Sequence, residues 1–291
     1  VVVVEEAQKI EDREPLTMRV VKLHDLFKRY GGQRRPKIDT YSVLKESNEL
    51  VEFRYVPTGS TIIYVSHEWA GTDHPDPDGQ QMYHLLLLLE RLQKKKVSRV
   101  DMEWFHMLVY MQKYSTEANE WSRILNPLHT YLWYDGFCAP RDRKEDMLRS
   151  IPYYIQRCHF TVILVPGCTH FDRIDPQTKR KMNLCYRTYR KRAECVFDMF
   201  ASLLMSDGSK KLMPMLLVRS GTGTPDWVSP LECQKLAVGN SVFTCCEHNH
   251  EGMQTCTFCL SDLSRALNKL TFTANTLTGY RDIAVVNLKK M

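Results

Sequence analysis

The stretch between residues 61 and 69 restricts the fold more than any other part of the sequence. Five β-branched and aromatic residues, Thr61-Ile62-Ile63-Tyr64-Val65, are followed at once by the polar group Ser66-His67-Glu68-Trp69. A short apolar run that ends this abruptly predicts a strand buried on both faces, as in a parallel sheet. Because ligands of open α/β sheets bind at the carboxyl ends of strands, this polar group is the first candidate for a functional site.

Further apolar runs alternate with helical patterns along the rest of the chain. Strands are predicted at residues 131–134, 160–165 and 212–218, and apolar residues at helical spacing lie between them. This alternation predicts βαβ units. We therefore expect an α/β fold of the flavodoxin-like type, with a mainly parallel sheet flanked by helices.

The predicted organisation has three parts. Residues 1–60 contain a helix around residues 18–29 and a short strand at 50–56, which a Pro-Thr-Gly turn joins to the strand at residue 61 as an edge hairpin. Residues 61–220 form the α/β domain, with a helical insertion at 97–128 in which Val100, Trp104, Met107, Leu108 and Met111 recur at helical spacing. Residues 221–291 form a Cys/His-rich extension packed on the domain, with a last strand at 283–286.

The composition is that of an ordinary globular protein. Of the 291 residues, 43% are hydrophobic and 25% are charged, and no apolar run approaches the roughly 18 residues of a membrane-spanning helix. The net charge of +6 comes largely from lysine and arginine runs without a nucleic-acid-binding motif, so nucleic acid is not an expected partner.

Ten irregularly spaced cysteines favour free thiols and a cytoplasmic protein. Because the sequence opens at Val1, we expect its natural N-terminus to lie upstream.

Four segments, in order, resemble the Toll/interleukin receptor and resistance (TIR) domain over about residues 61–218. Three of them are strand ends and the fourth is helical: Val65-Ser66-His67, Trp133-Tyr134-Asp135, Leu164-Val165-Pro166 and Glu194-Cys195-Val196-Phe197-Asp198. The chain also resembles, more closely, a group of uncharacterised TIR-like proteins of unicellular algae and other protists. Those proteins also carry a Cys-Cys-x-x-Asn-His segment, which here reads Cys245-Cys246-Glu247-His248-Asn249-His250.

The resemblance implies roles for the candidate residues. In TIR domains the helical segment reads Trp-Cys-x-x-Glu, and its glutamate is catalytic in members that cleave NAD at the nicotinamide–ribose bond. The chain has Glu194 in place of that tryptophan and Asp198 in place of the glutamate, and its first crossover is longer. The implied catalytic carboxylate is thus Asp198, and the implied nucleotide-binding residues are Ser66, His67, Trp69, Asp135 and Glu194. NAD is the candidate substrate, no cofactor is required, and the expected partners are a second copy or other TIR-like domains.

Each candidate also has an ordinary structural interpretation. His67 and Trp69 suit a ribose or phosphate group and an aromatic base, but they equally suit bracing of the loop. Asp135 precedes a glycine, as aspartates that cap turns do. Glu194 and Asp198, four residues apart on a helix, also fit a solvated acidic face.

The C-terminal extension carries a separate candidate, a zinc site. Cysteine and histidine are concentrated between residues 245 and 259, and the Cys256-x-x-Cys259 pair has the ligand spacing of structural zinc sites. The candidate ligands are Cys246, His250, Cys256 and Cys259. Free thiols and surface histidines are the alternative interpretation.

Three functions remain open from the sequence. The first is a TIR-like domain that acts in stress or immune-type signalling through self-association, with hydrolysis of NAD at the nicotinamide–ribose bond. The second is a catalytically inactive interaction module on the same fold, and the third is a nucleoside or nucleotide glycosyl-transferring enzyme. The sequence has no glycine-rich phosphate loop, which disfavours a Rossmann dehydrogenase or a P-loop hydrolase.

Overall fold

A computed structural model describes residues 16–175, 178–204, 214–236, 244–245 and 250–251. The strands are β1 (Arg19–Lys22), β2 (Leu50–Glu52), β3 (Thr61–His67), β4 (Arg99–Asp101), β5 (Ser115–Glu117), β6 (Thr130–Tyr134), β7 (Phe160–Leu164), β8 (Thr169–Ile174), β9 (Lys181–Asn183), β10 (Met215–Val218), β11 (Asp226–Val228), β12 (Thr244–Cys245) and β13 (His250–Glu251). The α-helices are α1 (Leu23–Tyr30), α2 (Tyr41–Glu46), α3 (Gln80–Gln93), α4 (Trp104–Tyr110), α5 (Ala118–Ile124), α6 (Asp135–Cys138), α7 (Lys144–Arg157), α8 (Tyr186–Tyr189) and α9 (Ala193–Leu204).

A seven-stranded sheet with the order β11-β10-β7-β3-β6-β1-β2 forms the centre of the protein. Strands β10, β7, β3 and β6 run parallel to one another, whereas β11 on one side and β1 and β2 on the other are antiparallel to their neighbours. Pairs β4–β5, β8–β9 and β12–β13 form separate two-stranded ribbons. The predicted α/β fold with a mainly parallel sheet flanked by helices is confirmed.

Strand β3 lies at the middle of the sheet, and its two faces contact different helices. Successive side chains of a strand point to opposite faces. Tyr64 and Ser66 both contact Asp198 of α9, whereas His67 contacts Gln81 of α3. Helix α7 packs on α9, and α3 packs on α5, so that helices cover both faces of the sheet. Side chains at the carboxyl end of β3 therefore contact helices on both faces of the sheet.

The N-terminal part corrects two predictions. Instead of one helix around residues 18–29, the segment forms strand β1 followed by α1, because the buried Val20 and Val21 pair with β6 and β2. The predicted hairpin between residues 50–56 and β3 is also wrong, since β2 pairs with β1. Strand β3 is almost entirely buried and takes a central place, while the short, half-buried β2 takes the edge.

The insertion at 97–128 contains the predicted helices, α4 and α5, together with the ribbon β4–β5. The apolar residues at helical spacing do not share one environment: Val100 is buried and Met107 packs, partly buried, against the core. Trp104, Leu108 and Met111 are 69%, 66% and 87% exposed. His106 is buried instead and accepts a hydrogen bond from a backbone N–H. Helix α4 is thus anchored by its polar histidine and presents an apolar face to solvent.

Little of the C-terminal extension is described. The predicted strand at 283–286 and the zinc candidates Cys246, Cys256 and Cys259 lie outside the described residues, and His250 belongs to β13. Within the described ranges, no group of three or more His, Cys, Asp or Glu side chains is arranged to hold a metal ion. No helix in those ranges is long and apolar enough to cross a membrane.

Candidate functional site

The carboxyl ends of β3 and β6 border a cavity of about 290 Å³. Residues of the following loops and of helices α7 and α9 complete its wall. This volume is at the lower end of the range of small-molecule sites. The cavity is lined by all of the residues predicted for the site: Ser66, His67, Trp69, Asp135, Glu194 and Asp198.

His67 and Asp135 form an ion pair on this wall. The Nε2 atom of His67 lies 2.7 Å from Oδ1 of Asp135, and its Nδ1 atom lies 2.7 Å from Oε1 of Gln81. The amide of Gln81 has a fixed direction, because its Nε2 atom donates to the carbonyl oxygen of Glu68, which can only accept. Both ring nitrogens of His67 therefore face acceptors. This arrangement fits the doubly protonated imidazolium.

The electrostatics of this pair favour its charged form. Burial acts to lower the pKa of His67, but the charge of Asp135 and its hydrogen bond outweigh burial and raise the pKa above 6.5. Burial acts to raise the pKa of Asp135, but the charge of His67 and hydrogen bonds from His67, Trp69 and a backbone N–H lower it below 3.8. The Trp69 Nε1 atom donates to Asp135 Oδ2 at 2.7 Å. The pair thus ties the loop after β3 to the end of β6.

Asp198 is a second acidic group of the wall, and its environment is different. Its residue is 9% exposed, Tyr64 donates to its Oδ1 atom at 3.1 Å, and Ser66 donates to its Oδ2 atom at 2.6 Å. Burial raises the pKa of Asp198 to about 7, with a further contribution from the charge of Asp135, although the two hydrogen bonds act in the opposite direction. Two carboxyl groups whose pKa values are pushed apart are typical of acid–base sites.

A chain of hydroxyl groups connects Asp198 to the neighbouring helix. The hydroxyl of Tyr189 lies 2.7 Å from Oγ of Ser66. Because Ser66 has one proton and donates it to Asp198, Tyr189 is the donor to Ser66. The sequence reasoning missed both tyrosines. Strand alternation, which places Tyr64 on the same face as Ser66, is a signal that would have found the first; Tyr189 has no local signal.

Glu194 lines the cavity one helical turn before Asp198. Its side chain is half-buried, and its Oε2 atom is buried without a hydrogen-bond partner among the described residues. Trp133 also lines the cavity, and its indole Nε1 atom is likewise buried without a partner there. Leaving buried donors and acceptors unpaired costs free energy, so such atoms need an explanation. A ligand with complementary polar groups would supply one.

A buried ion pair supports the wall next to α8. Thr188 donates to Oε2 of Glu68 at 2.7 Å, and Nη1 of Arg192 lies 3.5 Å from Oε1 of Glu68. Burial raises the pKa of Glu68, and the positive charge of Arg192 opposes that rise. Arg192 also lines the cavity and places a positive charge beside the acidic groups. Arg192 is buried although it ends the basic run at residues 187–192.

No protein-family model, curated protein or solved structure matches this chain. The TIR-like resemblance therefore stays a prediction. A fold of this kind hosts many activities, so the function has to be argued from the residues of the cavity.

Proposed function

We propose that the chain is a TIR-like domain whose cavity binds NAD and hydrolyses the bond between nicotinamide and ribose. The main support is the convergence of Glu194 and Asp198, from one helix, with the strand-end residues of β3 and β6 on one cavity. In chain order Asp198 lies 132 positions after Ser66 and 63 positions after Asp135. Their convergence is expected for a ligand site at the carboxyl edge of a parallel sheet.

Acidic side chains suit this reaction. When the bond between the ribose C1′ atom and the pyridinium nitrogen breaks, its electron pair goes to nitrogen and nicotinamide leaves as a neutral molecule. Positive charge develops on the ribose ring, and a carboxylate held beside the ring stabilises it. A water molecule then adds to C1′ and releases a proton to solvent, which gives ADP-ribose. No covalent intermediate with the protein is needed.

Other parts of the wall suit the rest of the nucleotide. Trp69 is held by its hydrogen bond to Asp135, which fixes the indole ring where an aromatic base can stack on it. Trp133 and Ile151 add apolar surface. Arg141 lies at the exposed side of the cavity, where a guanidinium group suits a phosphate. The volume of the cavity fits one nucleoside half, so the other half would lie over the rim.

Release of nicotinamide tests this proposal. The purified chain, assayed at high protein concentration between about pH 5 and 9, should release nicotinamide and ADP-ribose in equal amounts. A double variant, Glu194→Gln with Asp198→Asn, should lose at least about a hundredfold in kcat, because both carboxylates are gone. Glu46→Gln with Asp142→Asn is the matched control, since both residues are exposed and neither lines the cavity. A wild-type chain that neither binds NAD nor releases nicotinamide would contradict the proposal.

The same assay separates hydrolysis from glycosyl transfer. If labelled nicotinamide is added, a transferring enzyme should incorporate the label into NAD, whereas a hydrolase should yield only ADP-ribose. Extensive incorporation of the label into NAD with little ADP-ribose would contradict hydrolysis and would identify the chain as a glycosyl-transferring enzyme.

A second candidate is an interaction module that associates with copies of itself. Trp104 and Leu108 of α4 and Met111, which directly follows it, are exposed apolar residues, and clustered exposed apolar side chains mark interaction sites. Replacing Leu108 and Met111 with serine should weaken self-association at least about tenfold in sedimentation experiments, because the surface loses its apolar contact area. Serine at the exposed Val43 of α2 is the control. An unchanged association constant would exclude α4 as the contact.

A further inference from the structure

We propose that Glu194, and not Asp198, is the carboxylate that contacts the ribose of the bound nucleotide, and that Asp198 acts as a positioning residue. This inference rests on the proposed hydrolysis of NAD, and it divides the work between two acidic residues that line the same cavity.

Asp198 is held by the sheet. Both of its carboxyl oxygens accept a side-chain hydrogen bond, one from Tyr64 and one from Ser66. Both donors are held in turn: Tyr64 stacks on Trp133 with ring centroids 4.7 Å apart, and Ser66 accepts from Tyr189. A ribose hydroxyl that bonded to Asp198 would have to share oxygens already engaged by this network. The arrangement suits a group that fixes the shape of the cavity floor.

Glu194 has the opposite properties. Its side chain is longer by one methylene group, it is half-buried rather than buried, and its Oε2 atom has no hydrogen-bond partner among the described residues. It also lies in the first turn of the 12-residue helix α9, where the helix dipole favours a negative charge. Glu194 borders the cavity, and because no described residue bonds to its buried Oε2 atom, the carboxylate is free to turn and accept hydrogen bonds from ribose hydroxyls.

The two roles follow from the same reaction. The hydroxyls of the ribose donate to Glu194, and these bonds strengthen as positive charge develops on the ring while the electron pair of the broken bond leaves with nicotinamide. Asp198 acts through Tyr64 and Ser66, which it orients, and through its own charge. The titratable groups that influence this carboxyl are Tyr64 and His67 of β3, Tyr189 of α8, Cys195 of α9 and Asp135 after β6.

Single variants of the full chain separate the roles. Glu194→Gln keeps the size of the side chain, and it should lower kcat for nicotinamide release at least about a hundredfold with little change in KM, because a contact that strengthens in the transition state is lost. Glu194→Asp should retain intermediate activity, since it keeps the charge but loses reach. Asp198→Asn should lower kcat less than tenfold. Glu46→Gln, an exposed helical glutamate, should leave the activity unchanged.

The pH profile gives a readout that a purely structural role would not move. In the wild type, kcat/KM should rise as the pH increases through about 7, because the charged form of Asp198 stabilises the positive ribose. In Asp198→Asn this rise should disappear while activity persists. Circular dichroism and thermal unfolding check that each variant is folded.

The possible failures are distinct. If the wild type neither binds nor cleaves NAD, the proposed function fails and this inference fails with it. If the wild type cleaves NAD while Glu194→Gln stays within threefold of its kcat and Asp198→Asn is inactive, the hydrolase is retained and the assignment of Glu194 is overturned.

Discussion

Replacing Asp135 with alanine is expected to lower the free energy of unfolding by about 3–5 kcal/mol, because the buried imidazolium of His67 loses its counter-charge. The Nε1 atom of Trp69 loses its acceptor in the same variant. The loss should be largest between about pH 4 and 6.5. The pKa of folded Asp135 lies below 3.8, so the stabilisation by its charge is fully present above about pH 4. The pKa of folded His67 lies above 6.5, so the stabilisation by its charge is fully present below about pH 6.5. Urea denaturation at about pH 6 measures it.

Two further variants make this test specific. Trp69→Phe removes one hydrogen bond to Asp135 and keeps the ion pair, so it should cost only about 1 kcal/mol. Asp142→Ala removes an exposed aspartate and should change stability by less than about 0.5 kcal/mol. In an NMR titration of Asp135→Ala, the pKa of His67 should fall below 6.5, since burial then acts without Asp135. A loss below about 1 kcal/mol would mean that the pair contributes little.

The central strands could be predicted from the sequence because their burial leaves a local signal. Strands β3, β6, β7 and β10 are covered on both faces, so each appears as a continuous apolar run, and each lies within a residue or a few of its predicted position. Strand β1 could not be predicted in this way. Its four residues fit a helical pattern equally well, and its strand conformation depends on pairing with β6, far away in the chain.

The candidate site could be predicted in part for the same reason. Strand ends are visible in the sequence, and parallel strands end at a common edge, so Ser66, His67, Trp69 and Asp135 could be grouped from the sequence alone. Their partners could not be predicted. Whether Gln81 meets His67, or Tyr189 meets Ser66, depends on how α3 and α8 pack against the sheet. The same holds for α4, where the spacing of the apolar residues did not show that His106 would be buried and that Trp104 and Leu108 would be exposed.

The difference in unfolding free energy between the wild type and Asp198→Asn should change by about 4 kcal/mol between pH 4 and pH 8, because one pKa unit corresponds to about 1.4 kcal/mol. The pKa of Asp198 is about 7 in the folded chain, against 3.8 for an ordinary aspartate. Between these values the folded state binds more protons than the unfolded state. The contribution of Asp198 to the stability of the wild type therefore falls as the pH rises from about 4 to 7.

Asparagine cannot ionise, so the variant lacks this loss and should gain relative to the wild type at high pH. Urea denaturation of both proteins at several pH values measures the difference, in which the titration of groups common to both cancels. Asp142→Asn is the control, and its difference from the wild type should stay constant, since Asp142 is exposed. A constant difference for Asp198→Asn as well would show that the carboxyl is not destabilised by burial. If the difference changes as expected, the chain keeps a destabilising acid at the wall of its cavity, which is typical of functional sites.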